Sequence, residues 1–124
     1  METSDAASAL SALAHAGRLE VFRLLVRAGE PGLSAGDIAR ATKALPNTLS
    51  AKLSILSRAR LIRSRRDGRS IIYTADFAAM AALLGFLLDD CCAGAPQVCA
   101  PLADILERTA RCTPPRSHTQ TEPV

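Results

Sequence analysis

Four cysteines, Cys91, Cys92, Cys99 and Cys112, are the residues of this chain best suited to ligand chemistry. Thiolates are soft donors that select soft or borderline ions such as Cu(I), zinc, cadmium or trivalent arsenic. Cys91 and Cys92 are adjacent, and Cys99 follows seven positions later, across a stretch that contains Gly94 and Pro96. Neighbouring residues on a regular helix point about 100° apart, so the two sulfurs of the pair converge only where the helix frays. Gly94 and Pro96 break helices in the right place for that, which lets the trio fold around one three-coordinate centre. The plainer alternative makes these cysteines buried small hydrophobes, the usual fate of an unpaired Cys. That alternative is preferred for Cys112, at the start of the C-terminal tail. The opening METSDAAS has neither the basic start nor the apolar core of an export signal. A reducing, cytoplasmic setting is therefore expected, with the cysteines as thiols before disulfides. A Cys91–Cys92 disulfide would in any case be strained.

A second chemistry is written in the arginines. Between Arg58 and Arg69 there are six of them (58, 60, 63, 65, 66 and 69) against the single acid Asp67, whereas Asp89, Asp90, Asp104 and Glu107 lie in a C-terminal part poor in bases. The net charge of +3 decides nothing by itself, but a basic middle beside an acidic end assigns one segment to polyanions. An enzyme is the competing class, in the form of a small thiol reductase. It finds no Cys-x-x-Cys motif and no nearby histidine base, since His15 and His118 are the only histidines. His15 is read as a surface or capping residue and His118 as part of the tail. Asp89 and Asp90 are read as solvated residues ending a helix. No organic cofactor is expected.

The elements that must position these groups follow from the apolar spacing. The 124 residues are 48% hydrophobic but only 3% aromatic, which favours a mainly α fold with a thin core, completed by a partner subunit. The first dozen residues are expected to fray, with Ser4 or Asp5 capping a helix that carries Leu10, Leu13 and Ala14. A second helix spans about 18–27, with Val21, Phe22, Leu24, Leu25 and Val26 inward, until Gly29-Glu30-Pro31-Gly32 breaks it. Ser34 and Asp37 have capping-box spacing and open a short helix through Ile38 to about Thr42. After a three-residue turn, Pro46 suits the first turn of a further helix, which buries Leu49, Leu53 and Leu56. Asp67-Gly68 is a type I′ turn dipeptide, and with it as the loop Ile62 pairs with Tyr73, Arg63 with Ile72 and Arg65 with Ser70. Asp76 caps a helix from Phe77 to about Leu88 that is apolar nearly all round. This run of 12 residues falls short of the ~20 needed to span a bilayer, so it needs cover from a second subunit rather than from lipid. Pro101 starts a last short helix with Leu102, Ile105 and Leu106. Residues 1–112 thus form one domain with its dimerisation helices, and 113–124 a disordered tail.

Two short helices joined by a tight turn and followed by a basic hairpin predict a winged helix-turn-helix, mainly α with a small β-hairpin, and dimeric. With its leucines inward, the 46–58 helix turns Asn47, Ala51, Ser54 and Arg58 outward, flanked by Thr48 and Ser50. Short uncharged groups of this kind can approach base edges in the major groove of double-stranded DNA. Lys52, Arg58 and the hairpin residues Arg63, Arg65, Arg66 and Arg69 would contact phosphates or enter the minor groove.

The segments LSAGDIARAT and LPNTLSAKLSILSRARLIRSRRDGRSIIY resemble the DNA-binding core of the ArsR/SmtB family of metal-responsive repressors, and ALAHAGRLEVFRLLVRAG resembles that family's second helix. The resemblance covers about residues 10 to 90. It departs from the family at Ala51 and Lys52, where one or two histidines are common, and this bears on the operator sequence read. The resemblance implies a homodimeric repressor. Members with a Cys-Cys pair and a third Cys at the end of the dimerisation helix respond to arsenite or antimonite, which makes Cys91, Cys92 and Cys99 the implied ligands of As(III) or Sb(III). The Cys-x-Cys motif that other arsenic sensors carry before the recognition helix is missing from 35–42. The family's zinc sensors use Asp and His on the last long helix, and here zinc would have only Cys and Asp. A Zn- or Cd-responsive repressor, or one switched by disulfide formation, stays open as an alternative on the same fold.

Overall fold

A computed structural model describes residues 1–89, 100–105 and 107–108. Within residues 1–89 the elements follow one another in the order α1 (Thr3–Leu13), α2 (Ala16–Ala28), β1 (Leu33–Ser34), α3 (Ala35–Thr42), α4 (Pro46–Arg58), β2 (Ile62–Asp67), β3 (Ser70–Ala75) and α5 (Phe77–Leu88). The fold is mainly helical with a β-hairpin, as the sequence predicts, and a short additional strand, β1, makes the sheet three-stranded and antiparallel. Packing divides the chain into one unit of Met1–Leu87 and a second from Leu88 onward. In the second unit, residues 100–105 and 107–108 are helical, and Arg108 pairs with Asp104 at 3.3 Å.

The core forms where the leucine periodicity of α4 meets α2. Leu49, Leu53 and Leu56 are buried beside Val21, Phe22, Leu25 and Ile38, and Leu61, Ile62 and Ala75 close the core at the hairpin base. Each fully buried Leu of this kind contributes roughly 1.5–3 kcal/mol relative to exposure. The expected caps are present. Ser34 Oγ accepts from the Asp37 backbone N–H at 3.1 Å, and Asp76 Oδ1 accepts from the Ala79 N–H at 3.0 Å. The Ser34 hydroxyl and then the Arg40 guanidinium hold the Asp37 carboxyl below its ordinary pKa.

The N-terminus departs from expectation. α1 begins at Thr3, with the Glu2 backbone N–H donating to Asp5 Oδ2 at 3.1 Å, and its inward face is Ala6, Ala9 and Ala12. Leu10 is exposed. Alanines at i, i+3 and i+6 let the α1 backbone lie close to its neighbours, which a leucine stripe would prevent. The far end of α1 is capped from outside the helix, by Arg18 donating to the carbonyls of Ala12 at 2.7 Å and Ser11 at 3.3 Å. Cationic capping of C-terminal carbonyls also suits the helix dipole.

The hairpin register is a second correction. Ile62 pairs with Ala75, Arg63 with Thr74, Arg65 with Ile72 and Asp67 with Ser70, so the loop is Gly68-Arg69 rather than Asp67-Gly68. A type I′ turn needs positive φ at both loop residues, whereas type II′ needs it at the first alone. Gly68 has φ +64° and Arg69 is not among the positive-φ residues, the pattern of the second type. The shift adds a rung at Ala75, whose methyl is buried. It preserves which side chains share a face, because the partner of each residue moves by two.

Candidate nucleic-acid interface

The α3–turn–α4 unit is held by local chemistry. Thr42 Oγ1 donates back to the Ile38 carbonyl at 2.8 Å, and Lys43 adopts φ +59° to end α3. Pro46 then starts α4. At its other end, the Arg60 N–H donates to the Ser57 carbonyl at 3.0 Å and the Leu61 N–H to the Leu56 carbonyl at 3.1 Å. This paired closure is a Schellman motif, with Arg60 at φ +63° in the position that glycine usually takes. It turns the chain from the recognition helix directly into the hairpin.

Because the three leucines are buried, Asn47, Thr48, Ser50, Ala51, Ser54 and Arg58 form one continuous exposed strip along α4. Lys52 is placed differently from expectation. It is half-buried, and its Cε and Nζ lie where a Cβ on Gly17 would stand, so its side chain is laid over the first turn of α2. Gly17 is therefore a contact residue of α4 that no spacing rule singles out.

The hairpin arginines are all exposed, but they do not form one group. Arg66 lies opposite Ile71, on the face that carries Ile62 and Tyr73. Arg63 and Arg65 lie opposite Thr74 and Ile72 on the other face, and Arg69 sits in the turn. Arg65 is also engaged: Nη1 donates to the Glu30 carbonyl at 3.3 Å and Nη2 to the Pro31 carbonyl at 3.0 Å. β1 is a further element the sequence reading missed. It pairs Leu33 with Tyr73 and Ser34 with Ile72, widening the stem of the hairpin to three strands.

Helix, turn, exposed helix and arginine-bearing hairpin together make a winged helix-turn-helix. A helix-turn-helix domain model matches residues 13–65. An HTH-type transcriptional regulator of Escherichia coli K12, YgaV, is 33% identical over 88 residues, which is 71% of this chain and 87% of that one. A homodimeric winged helix-turn-helix DNA-binding domain from Mycobacterium bovis, a possible ArsR-family transcriptional regulator, is 31% identical with a TM-score of 0.56, over 70% of this chain and 81% of that one. The chain belongs to the ArsR family of transcriptional regulators. An ArsR-like regulator from Rhodococcus shares the fold at a TM-score of 0.63 and 24% identity, over 82% of this chain and 92% of that one.

In this ArsR-family regulator the predicted ligands Cys91, Cys92 and Cys99 lie outside the described residues, as do Cys112 and Asp90. Among the described residues, no group of three His, Cys, Asp or Glu is arranged to hold a metal ion. Nor is any described helix long and apolar enough to cross a membrane.

Proposed function

We propose that this regulator is a homodimeric repressor whose grip on an imperfect inverted repeat is released by trivalent arsenic or antimony at Cys91, Cys92 and Cys99, ahead of an arsenic-resistance operon. The observation that carries the DNA-binding half is the exposed strip Asn47–Arg58 beside a hairpin with arginines on both faces. Asn47 suits adenine, Ser50 and Ser54 suit several bases, and Ala51 suits a thymine methyl. Arg58, Arg63, Arg66 and Arg69 supply charge for phosphates.

One protomer offers one recognition helix, and a twofold pair reads two half-sites about one helical turn apart. α5 supports that pairing. Its only fully buried residue is Leu83, while Phe77, Leu84 and Leu87 stand 37%, 43% and 49% exposed. A helix this apolar needs cover on several sides. Sedimentation of the reduced, metal-free protein at micromolar concentration should give a dimer, and Leu84→Asp with Leu87→Asp should shift it toward monomer. A monodisperse wild-type monomer contradicts the pairing.

The inducer half rests on the donor set. Three thiols within nine positions, and no histidine between His15 and His118, suit a soft trivalent ion better than a zinc ion that prefers four nitrogen or sulfur ligands. A bound ion supplies the difference in free energy between two states of the dimer, typically about 1–3 kcal/mol. The protein's part is to hold three thiolates in one of those states and to carry their position to α5. In chain order α5 stands between the hairpin and Cys91 and Cys92.

A further inference from the structure

We infer that Arg65 is a positioning residue of the wing, a brace that fixes the hairpin's angle to the body of the domain, and not one of its phosphate contacts. This rests on the DNA-binding reading above and goes beyond it.

The sheet order is β1-β3-β2, so β2 is an edge strand whose only strand partner is β3. β1 contributes two residues. The rung Ser34–Ile72–Arg65 is therefore the last with three strands before the hairpin continues alone to its tip at Gly68. An isolated two-stranded ribbon is marginally stable in water. A wing that must present Arg66 and Arg69 in one geometry needs support at this rung.

Arg65 supplies it. As the cross-strand partner of Ile72 it shares that residue's face. The loop between α2 and β1 lies on the same face: a Cβ on Gly32 would overlap the Tyr73 carbonyl and the methyls of Ile72 and Thr74. Gly32 holds φ +68°, so the loop reaches this position only with glycine there. The guanidinium of Arg65 crosses to this loop and donates to two consecutive carbonyls, Glu30 at 3.3 Å and Pro31 at 3.0 Å. β2 is thereby tied back to the segment that leads into β1, across β3. The planar fork of Arg matches two neighbouring acceptors, and a Lys ammonium in its place has one head for both.

The test compares Arg65→Ala, Arg65→Lys and Arg66→Ala with the wild-type protein. Two readouts are used: backbone hydrogen exchange without DNA, and binding to a duplex from the promoter of its own gene across a salt series. A brace predicts faster exchange at the hairpin and at residues 29–33 in both Arg65 variants, and none in Arg66→Ala. It predicts binding weakened about fivefold in both Arg65 variants, with the slope of log K against log salt unchanged. Arg66→Ala should lose nearly one unit of that slope. Two results overturn the brace: exchange that is unchanged in the Arg65 variants, or a slope that falls by about one unit in Arg65→Ala while Arg65→Lys binds normally. If the wild-type protein itself ignores every duplex, the regulator reading fails instead, and the exchange data still decide whether Arg65 braces the wing.

Discussion

Cys91→Ser, Cys92→Ser and Cys99→Ser, each alone, should bind operator DNA as the wild type does and should no longer be released by arsenite. Cys112→Ser should respond normally. The reason is coordination number. A three-coordinate soft centre that loses one thiolate keeps two sulfurs and gains a hydroxyl, a poor donor for such an ion. The free energy that distinguishes the two protein states then largely disappears, and a ligand that binds both states equally shifts nothing. DNA affinity should survive because the three positions lie well beyond Asn47–Arg69 in the chain. The assay is anisotropy or gel shift on promoter duplex, with arsenite added to each reduced variant. Release of Cys99→Ser at ordinary arsenite levels, together with failure of Cys112→Ser, would make Cys112 the third ligand. Indifference of all four variants, with release by zinc, would replace the arsenic site by one that includes aspartate.

Ala51→Glu should weaken DNA binding by about 100-fold or more and leave the fold intact. Ala51 is exposed in the middle of α4, between Asn47 and Ser54 on the strip proposed to enter the groove. A carboxylate there meets phosphates at close range, and like charges juxtaposed in an interface cost several kcal/mol. Stability should change by no more than about 0.5 kcal/mol, because the site is exposed and Glu is a good helix former. Equilibrium unfolding and duplex titration of the same preparation check both statements. Normal DNA binding by Ala51→Glu would remove α4 from the groove, whereas an unfolded variant would show the position to be structural.

The parts of this molecule that could be read from sequence are those governed by contacts three or four residues apart. Leu49, Leu53 and Leu56 fix the buried face of α4 and so its outer face, and Ser34 with Asp37, and Asp76 with Ala79, mark helix starts by direct side-chain bonds. The misread features depend on partners distant in sequence or on one backbone angle. Both Asp67-Gly68 and Gly68-Arg69 are credible two-residue loops. The choice between them turns on positive φ at a single residue and on a place for Ala75 in the core. Two-residue β1 has no periodicity to detect. Arg65 and Lys52 look like any other basic residue of a DNA-binding surface. Only the fold brings one to the Glu30 and Pro31 carbonyls, thirty-five and thirty-four positions away, and the other to Gly17. The alanine face of α1 was hidden because small residues carry little hydrophobic signal, although they allow the closest helix packing.

A titration of the operator complex separates an arsenic-released repressor from a zinc- or redox-released one. Reduced wild-type protein is bound to a promoter duplex from its own gene, and arsenite, zinc and cadmium are added in separate series. Salt-sensitive binding of that duplex and release by arsenite are expected, with a loss of affinity of roughly 5- to 150-fold. Zinc should be far less effective. Protein that stays bound at saturating arsenite, yet dissociates with zinc or with a thiol oxidant, would not be an arsenic-released repressor.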